Sequence, residues 1–252
     1  MGNKYFIDTE FLEGTQDKRF LGIKYGETKP TIDLISIGIV SDDDRPYYYE
    51  VSKDFNLKEA WNRYDLKINK HYPLGPEYEK EYWIRDNVLK PIFRRWYGVH
   101  NNIDPTVFDH LFTYKEFKRL LEKHGKTNKE IAVEIKEFTK VIDRDKFDNS
   151  FVTGVKPEFY AYYGAYDWVV FCWIFGKMID LPDGFPMYVK DLKQEMDRIV
   201  TKSWKDVEMS TWGHTGIEDI KKLPGYPQQN NEHDAIQDAM WNKKLYEFLK
   251  TL

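Results

Sequence analysis

Acids stand at three places in this chain where their spacing could do chemistry. Asp8-Thr9-Glu10 closes the short apolar burst Tyr5-Phe6-Ile7. In a strand, residues two apart point to the same face, so Asp8 and Glu10 would project together. Adjacent carboxylates repel, and a cation between them removes the repulsion. All-oxygen sites of this kind suit Mg²⁺ or Mn²⁺. Alone, Asp-x-Glu also fits a strand end with two solvated acids. Asp167 lies in Tyr163-Gly164-Ala165-Tyr166-Asp167-Trp168-Val169-Val170-Phe171. An ionised carboxylate among such neighbours is costly unless paired or bound to metal. It also suits a helix N-cap at a strand-to-helix junction, and the two readings are compatible.

The third place is Asn231-Glu232-His233-Asp234-Ala235-Ile236-Gln237-Asp238. A spacing of five fits one helical face poorly. A capping box with Asp234 as N-cap and Gln237 at N3 resolves this. His233 is then N′ and Asp238 is N4, the two positions that staple geometry brings together. An imidazole and a carboxylate can thus meet at the mouth of the last helix. A plain capped helix with a surface histidine fits the same residues.

Several elements must hold these groups. Lys4 to Asp8 reads as a buried strand, and Ile32 to Val40 as a second, rich in β-branched residues. Asp42-Asp43-Asp44-Arg45-Pro46 is a turn, and Tyr47 to Val51 a third strand, which together predict an opening antiparallel meander. Glu77 to Trp96 has helical spacing, with a kink or break at Pro91. Phe117, Leu120 and Leu121 suggest a short helix after a loop marked by Asn101-Asn102 and Asp104-Pro105. A helix capped by Thr127 or Asn128 should run to about Ile142, followed by a polar connection from Asp143 to Lys156. Glu158 to Tyr163 reads as a strand and Asp167 to Met178 as a buried helix. Met187 to Val189 reads as a strand, Asp191 to Val200 as a helix and Ala235 to Leu249 as the last helix. Strands first, then alternating strand and helix, predict an α/β domain with a mixed sheet.

At 252 residues the chain fits one large domain, or a core carrying an insertion. Its apolar share of 41% and charged share of 32% exclude a disordered chain. With net charge −4 and pI near 5.9, any nucleic-acid contact must be confined to a local site. The single cysteine, Cys172, excludes an intramolecular disulfide and a cysteine-based zinc site, and reads as a small buried residue. The N-terminus lacks a signal-peptide pattern, and Phe159 to Gly176 is too short and too polar for a membrane span. A soluble cytoplasmic protein is expected.

The order of the three stretches forms a pattern. A strand-borne Asp-x-Glu, a later Asp at a strand–helix junction and a C-terminal His-x₄-Asp together resemble the DEDDh 3′→5′ exonucleases. That family includes ribonuclease T, oligoribonuclease and proofreading subunits. The resemblance spans nearly the whole chain as one domain, with residues 98–126 looking like a helical insertion. Phe6-Ile7-Asp8-Thr9-Glu10-Phe11, Leu34-Ile35-Ser36-Ile37-Gly38 and Tyr162-Tyr163-Gly164-Ala165-Tyr166-Asp167 look like the small bacterial and phage exoribonuclease branch first known from mycobacteria.

This resemblance implies a ribonuclease-H-like mixed sheet flanked by helices, and two Mg²⁺ ions, replaceable by Mn²⁺, about 4 Å apart. Asp8 would bridge the ions, Glu10 and Asp238 would complete one, and Asp167 would help hold the other. His233 would be the general base, since an imidazole suits that role at neutral pH. The substrate would be the 3′ end of single-stranded nucleic acid, RNA favoured. Family members often dimerise, so a homodimer is among the expectations. Phe11-Leu12-Glu13 stands where many members have Thr-Thr-Gly, and Tyr163 stands where many have Asn. By position Phe11, Leu12 and Tyr163 would meet the terminal nucleotides, stacking being sequence-tolerant.

Lys90, Arg94, Arg95, Lys221 and Lys222 could meet phosphates, but read first as solvated charge. Lys202 and Lys205, in the region before His233, are better candidates. Two further readings stay open: a DNA-directed exonuclease of the same fold, and a catalytically silent nucleic-acid-binding module.

Overall fold

The computed structural model describes residues 4–21, 23–43, 45–72, 75–98, 104–139, 156–209, 219–229 and 232–252. The Asn101-Asn102 loop and the polar connection expected from Asp143 lie outside the described residues, apart from Lys156 at its end.

The central sheet has five strands in the order β5-β4-β1-β8-β9. They are β1 (Lys4–Gly14), β4 (Thr31–Ser41), β5 (Tyr48–Val51), β8 (Glu158–Ala161) and β9 (Lys190–Asp191). β1 and β8 run parallel, with Tyr5 opposite Phe159 and Phe6 opposite Tyr160. β8 and β9 are also parallel. At the other side of β1, the Asp42 N–H just past β4 donates to the Lys4 carbonyl at 3.0 Å. The end of β4 therefore meets the start of β1, and these strands are antiparallel. The expected mixed sheet is present.

The alternation of β1 decides what covers each face. Tyr5 and Phe159 share one face, where α5 (Ala165–Phe175) packs, with Phe159 5.4 Å from Trp168 and 5.0 Å from Phe171. Phe6 and Tyr160 share the other, covered by α7 (Ala235–Leu249), whose Tyr246 ring lies 5.2 Å from Phe6 and 4.8 Å from Tyr160. Leu192 and Met196 of α6 (Leu192–Met209), with Trp241 and Leu245 of α7, complete that cluster. Burying each such side chain contributes about 1.5–3 kcal/mol.

Two compact units are distinguished. The first comprises Met1–Thr9, Ile37–Tyr49 and Lys129–Leu252, and the second Glu10–Ser36 and Glu50–Asn128. The first holds α4 (Asn128–Thr139, from its second residue), α5, α6 and α7. The second holds two hairpins that the sequence pattern did not predict: β2 (Asp17–Phe20) with β3 (Ile23–Glu27), and β6 (Asp65–Tyr72) with β7 (Gly75–Glu81). It also holds α1 (Leu57–Asn62), α2 (Lys90–Gly98) and α3 (Tyr114–His124). Its core includes Phe93, Phe117, Leu120 and Leu121, all buried. Residues 98–126 thus carry the predicted short helix as α3, capped by the Thr113 hydroxyl on the Glu116 N–H at 3.2 Å.

The helix expected from Glu77 is corrected by β7. Glu, Lys and Tyr at helical spacing serve instead as cross-strand pairs: Lys67 faces Glu79 in register and its ammonium lies 2.5 Å from Glu81. The helical turns begin later, as a wide π turn over Arg85–Leu89 that leads into α2. Pro91 sits just inside α2, and the wide turn before it accommodates the missing N–H and the ring's clash with the preceding turn. No helix among the described residues is long and apolar enough to cross a membrane.

Candidate active site

Strand alternation sets Asp8 and Glu10 on the face of β1 that carries Phe6, the face α7 covers. Two contacts hold α7 on that face, and a third ties it to the loop before it. Gly38 of β4 has no side chain, and a Cβ at that position would stand 2.3 Å from the Ala235 carbonyl oxygen. The buried Asn242 Nδ2 donates to the Ile7 carbonyl at 2.9 Å. Trp241 Nε1 donates to Pro227 O at 3.0 Å. Asp234 is the N-cap of α7, as the sequence predicted, and its carboxylate accepts from the Ile236 N–H.

This docking brings Asp238, in the first turn of α7, to the strand. Carboxylate oxygens of Asp8, Glu10 and Asp238 lie within 4.8 Å of one another. Glu10 and Asp238 are buried, at 8% and 7% exposure. Three carboxylates this close repel unless a cation is shared among them, and their donor set of oxygens alone fits a hard divalent ion. Burial pushes the Asp238 carboxyl up from its ordinary value. Hydrogen bonds from Gln229 and the His233 backbone act against this. Gln229 Nε2 donates to one oxygen at 2.7 Å and the His233 N–H to the other at 2.9 Å. The expectation placed the His233 imidazole against Asp238 at the helix mouth; the hydrogen bond there comes from the His233 backbone N–H. His233 adopts φ +69°, a left-handed conformation that a non-glycine residue holds only where its surroundings require it.

Asp167 reaches β1 from the opposite layer. It is the third residue of α5, and the N-cap position predicted for it belongs to Gly164. Gly164 is packed tightly, since a Cβ there would lie 2.7 Å from the Ala161 Cβ, and its N–H donates to Asp191 at 3.0 Å. Asp167 Oδ1 accepts two hydrogen bonds from one residue, the Thr9 N–H at 2.8 Å and the Thr9 hydroxyl at 2.7 Å. Burial pushes its carboxyl up to about 6, against the lowering effect of both Thr9 bonds. Asp167 lies outside the group formed by Asp8, Glu10 and Asp238. Thr9 is the residue that sequence reasoning passed over, although it stands between the two acids of the first motif. Gln229 also escaped, having no motif to mark it.

Among the expected substrate residues, Tyr163 is 64% exposed and adopts φ +55° just past β8. Phe11 is half-buried, and Leu12 is fully buried on the same strand face as Glu10. Arg94 and Lys90 are both tied to Asp109, Lys90 at 3.1 Å, which agrees with structural charge. Lys222 pairs with Asp219 at 3.6 Å. Lys202 is exposed, while the side chain of Lys205 lies outside the described residues.

A scan against protein-family models gives no match. Two curated proteins of Mycobacterium tuberculosis, from strains CDC 1551 and H37Rv, are similar to this chain, and each is named a 3′-5′ exoribonuclease. Each is 24% identical over 236 residues, covering 94% of this chain and 86% of the relative.

Proposed function

We propose that this protein is a metal-dependent 3′→5′ exoribonuclease with a ribonuclease-H-like fold, acting on the 3′ end of single-stranded RNA. The observation that carries this is the convergence of Asp8, Glu10 and Asp238, whose oxygens lie within 4.8 Å of one another. The naming of the two similar mycobacterial proteins supports the choice of reaction and polymer.

Asp8, Glu10 and Asp238 would hold one divalent ion. Asp167 would help hold a second. When bound, such ions lower the pKa of a water and stabilise a leaving 3′ oxygen. The residues themselves do the remaining work. Gln229 and the His233 N–H orient the two oxygens of Asp238, so that its carboxylate is presented in a fixed plane. His233, beside that carboxylate, accepts the proton of the attacking water as general base. Asp8 and Glu10 stand in the middle of β1, whose backbone is held inside the sheet, so their Cα positions are fixed in advance. Tyr163, open to solvent next to Gly164, offers a ring for the terminal base to stack on.

The test is a time course on matched 5′-end-labelled RNA and DNA oligonucleotides, with Mg²⁺, with Mn²⁺ and with EDTA. The proposal expects a ladder shortening from the 3′ end of RNA, faster than on DNA and abolished by EDTA. Cleavage that survives EDTA, runs from the 5′ end, or is as fast on DNA overturns it.

A further inference from the structure

The second unit carries an open groove of about 890 Å³ with no role in the site above. Its walls combine two kinds of side chain. Lys24, Lys58, Arg63 and Lys80 supply positive charge, and Tyr64 and Tyr82 supply rings whose centroids lie 5.8 Å apart. Two acids also line it, and each is already engaged: Asp17 lies 2.7 Å from Lys24, and Glu59 3.2 Å from Arg63. Lys24 also lies 2.7 Å from Glu27, so the excess positive charge of the groove is that of Lys58 and Lys80, in a chain whose net charge is −4. Lys80 lies 4.2 Å from the centre of the Tyr64 ring. Tyr64 is 43% exposed. A cation beside a half-open aromatic ring offers a strand of unpaired nucleotides one group for the phosphate and one for the base.

We propose that this groove is a second binding surface for single-stranded RNA, with Lys58 and Lys80 on phosphates and Tyr64 and Tyr82 on bases. The identity of the polymer rests on the exoribonuclease reading, but the binding does not depend on cleavage. A duplex hides the base faces that the two tyrosines would stack on, so the groove selects unpaired strands. It lies wholly within the second unit and uses none of Asp8, Glu10, Asp167, His233 or Asp238.

The test is fluorescence anisotropy of the full-length protein with a fluorescein-labelled 12-nucleotide oligouridine in EDTA, over a series of salt concentrations. Lys58→Glu/Lys80→Glu and Tyr64→Ala/Tyr82→Ala should each weaken binding about tenfold or more. The charge pair should also lower the slope of log affinity against log salt by about 1.4, at roughly 0.7 per lost phosphate contact on a single strand. Tyr64→Phe/Tyr82→Phe should bind as the wild type does, since stacking needs the ring and not the hydroxyl. Polyglutamate and duplex RNA should compete poorly. Variants that bind within twofold of wild type, an unchanged salt slope, polyglutamate competing as well as RNA, or no binding by wild type in EDTA would each overturn the groove. Cleavage is followed separately with Mn²⁺ on the 5′-end-labelled RNA oligonucleotide. Binding lost in the variants while wild type fails to cleave would uphold the groove and remove the exoribonuclease reading. Normal cleavage with no groove binding would do the reverse.

Discussion

Asp167→Asn should make the metal-free protein more stable while removing its activity. The carboxyl projects from α5 and is buried against β1. That burial pushes it from 3.8 up to about 6, with Asp191 adding to the rise and Thr9 opposing it. Because the folded-state value lies above the unfolded one, the folded protein binds this proton more tightly. The group's stabilising contribution is complete below about pH 4 and is lost as pH rises through about 6. Above that, holding the charged form inside the fold costs about 3 kcal/mol. The amide of Asn has the same shape, and its oxygen can still accept from the Thr9 N–H and hydroxyl, so the charge is removed and the hydrogen bonds survive. Burial also raises the Asp238 carboxyl, so the wild type should lose further stability in the same direction. Thermal melts in EDTA should place the variant roughly 6–12 °C above wild type at pH 8, at about 2–4 °C per kcal/mol for a protein of this size. The lead should shrink to nothing by pH 4. Mg²⁺ should raise the wild type more than the variant, because the ion offsets a charge only the wild type has. A variant that melts with wild type at pH 8, or whose lead persists undiminished at pH 4, would refute the reasoning.

Three further outcomes are expected. Gly38→Ala should cost about 1–3 kcal/mol in urea melts, because its Cβ must displace the Ala235 carbonyl now 2.3 Å from that position, and the start of α7 with it; an unchanged midpoint would show that α7 does not rest on Gly38. Thr9→Val should destabilise the protein by about 1–3 kcal/mol at pH 8, since a buried carboxylate loses one of two donors, and Thr9→Ser should restore the wild-type midpoint. His233→Ala should slow single-turnover cleavage by about 10²–10⁴-fold at saturating Mn²⁺ while leaving calorimetric Mn²⁺ affinity within a few-fold; wild-type rates would remove the general-base role.

Local chemistry made some of this architecture readable in advance and tertiary contacts hid the rest. The bounds of α7 follow from Asp234, a cap with an obvious acceptor, and an apolar run behind it, so they can be read from sequence alone. Asp8 and Glu10 follow from the period of a strand. The hairpins did not follow, because Glu77 to Glu81 carries strong helix formers, and only pairing with β6 makes them a strand. The arrangement of Asp167 depends on layers rather than on spacing. The alternation that aims Asp8 and Glu10 at α7 necessarily aims Thr9 at α5, where Asp167 is waiting. Motif order could therefore name Asp167 but not its partner. The middle residue of Asp-x-Glu, which the motif leaves unspecified, is the one whose N–H and hydroxyl hold the Asp167 carboxylate in place.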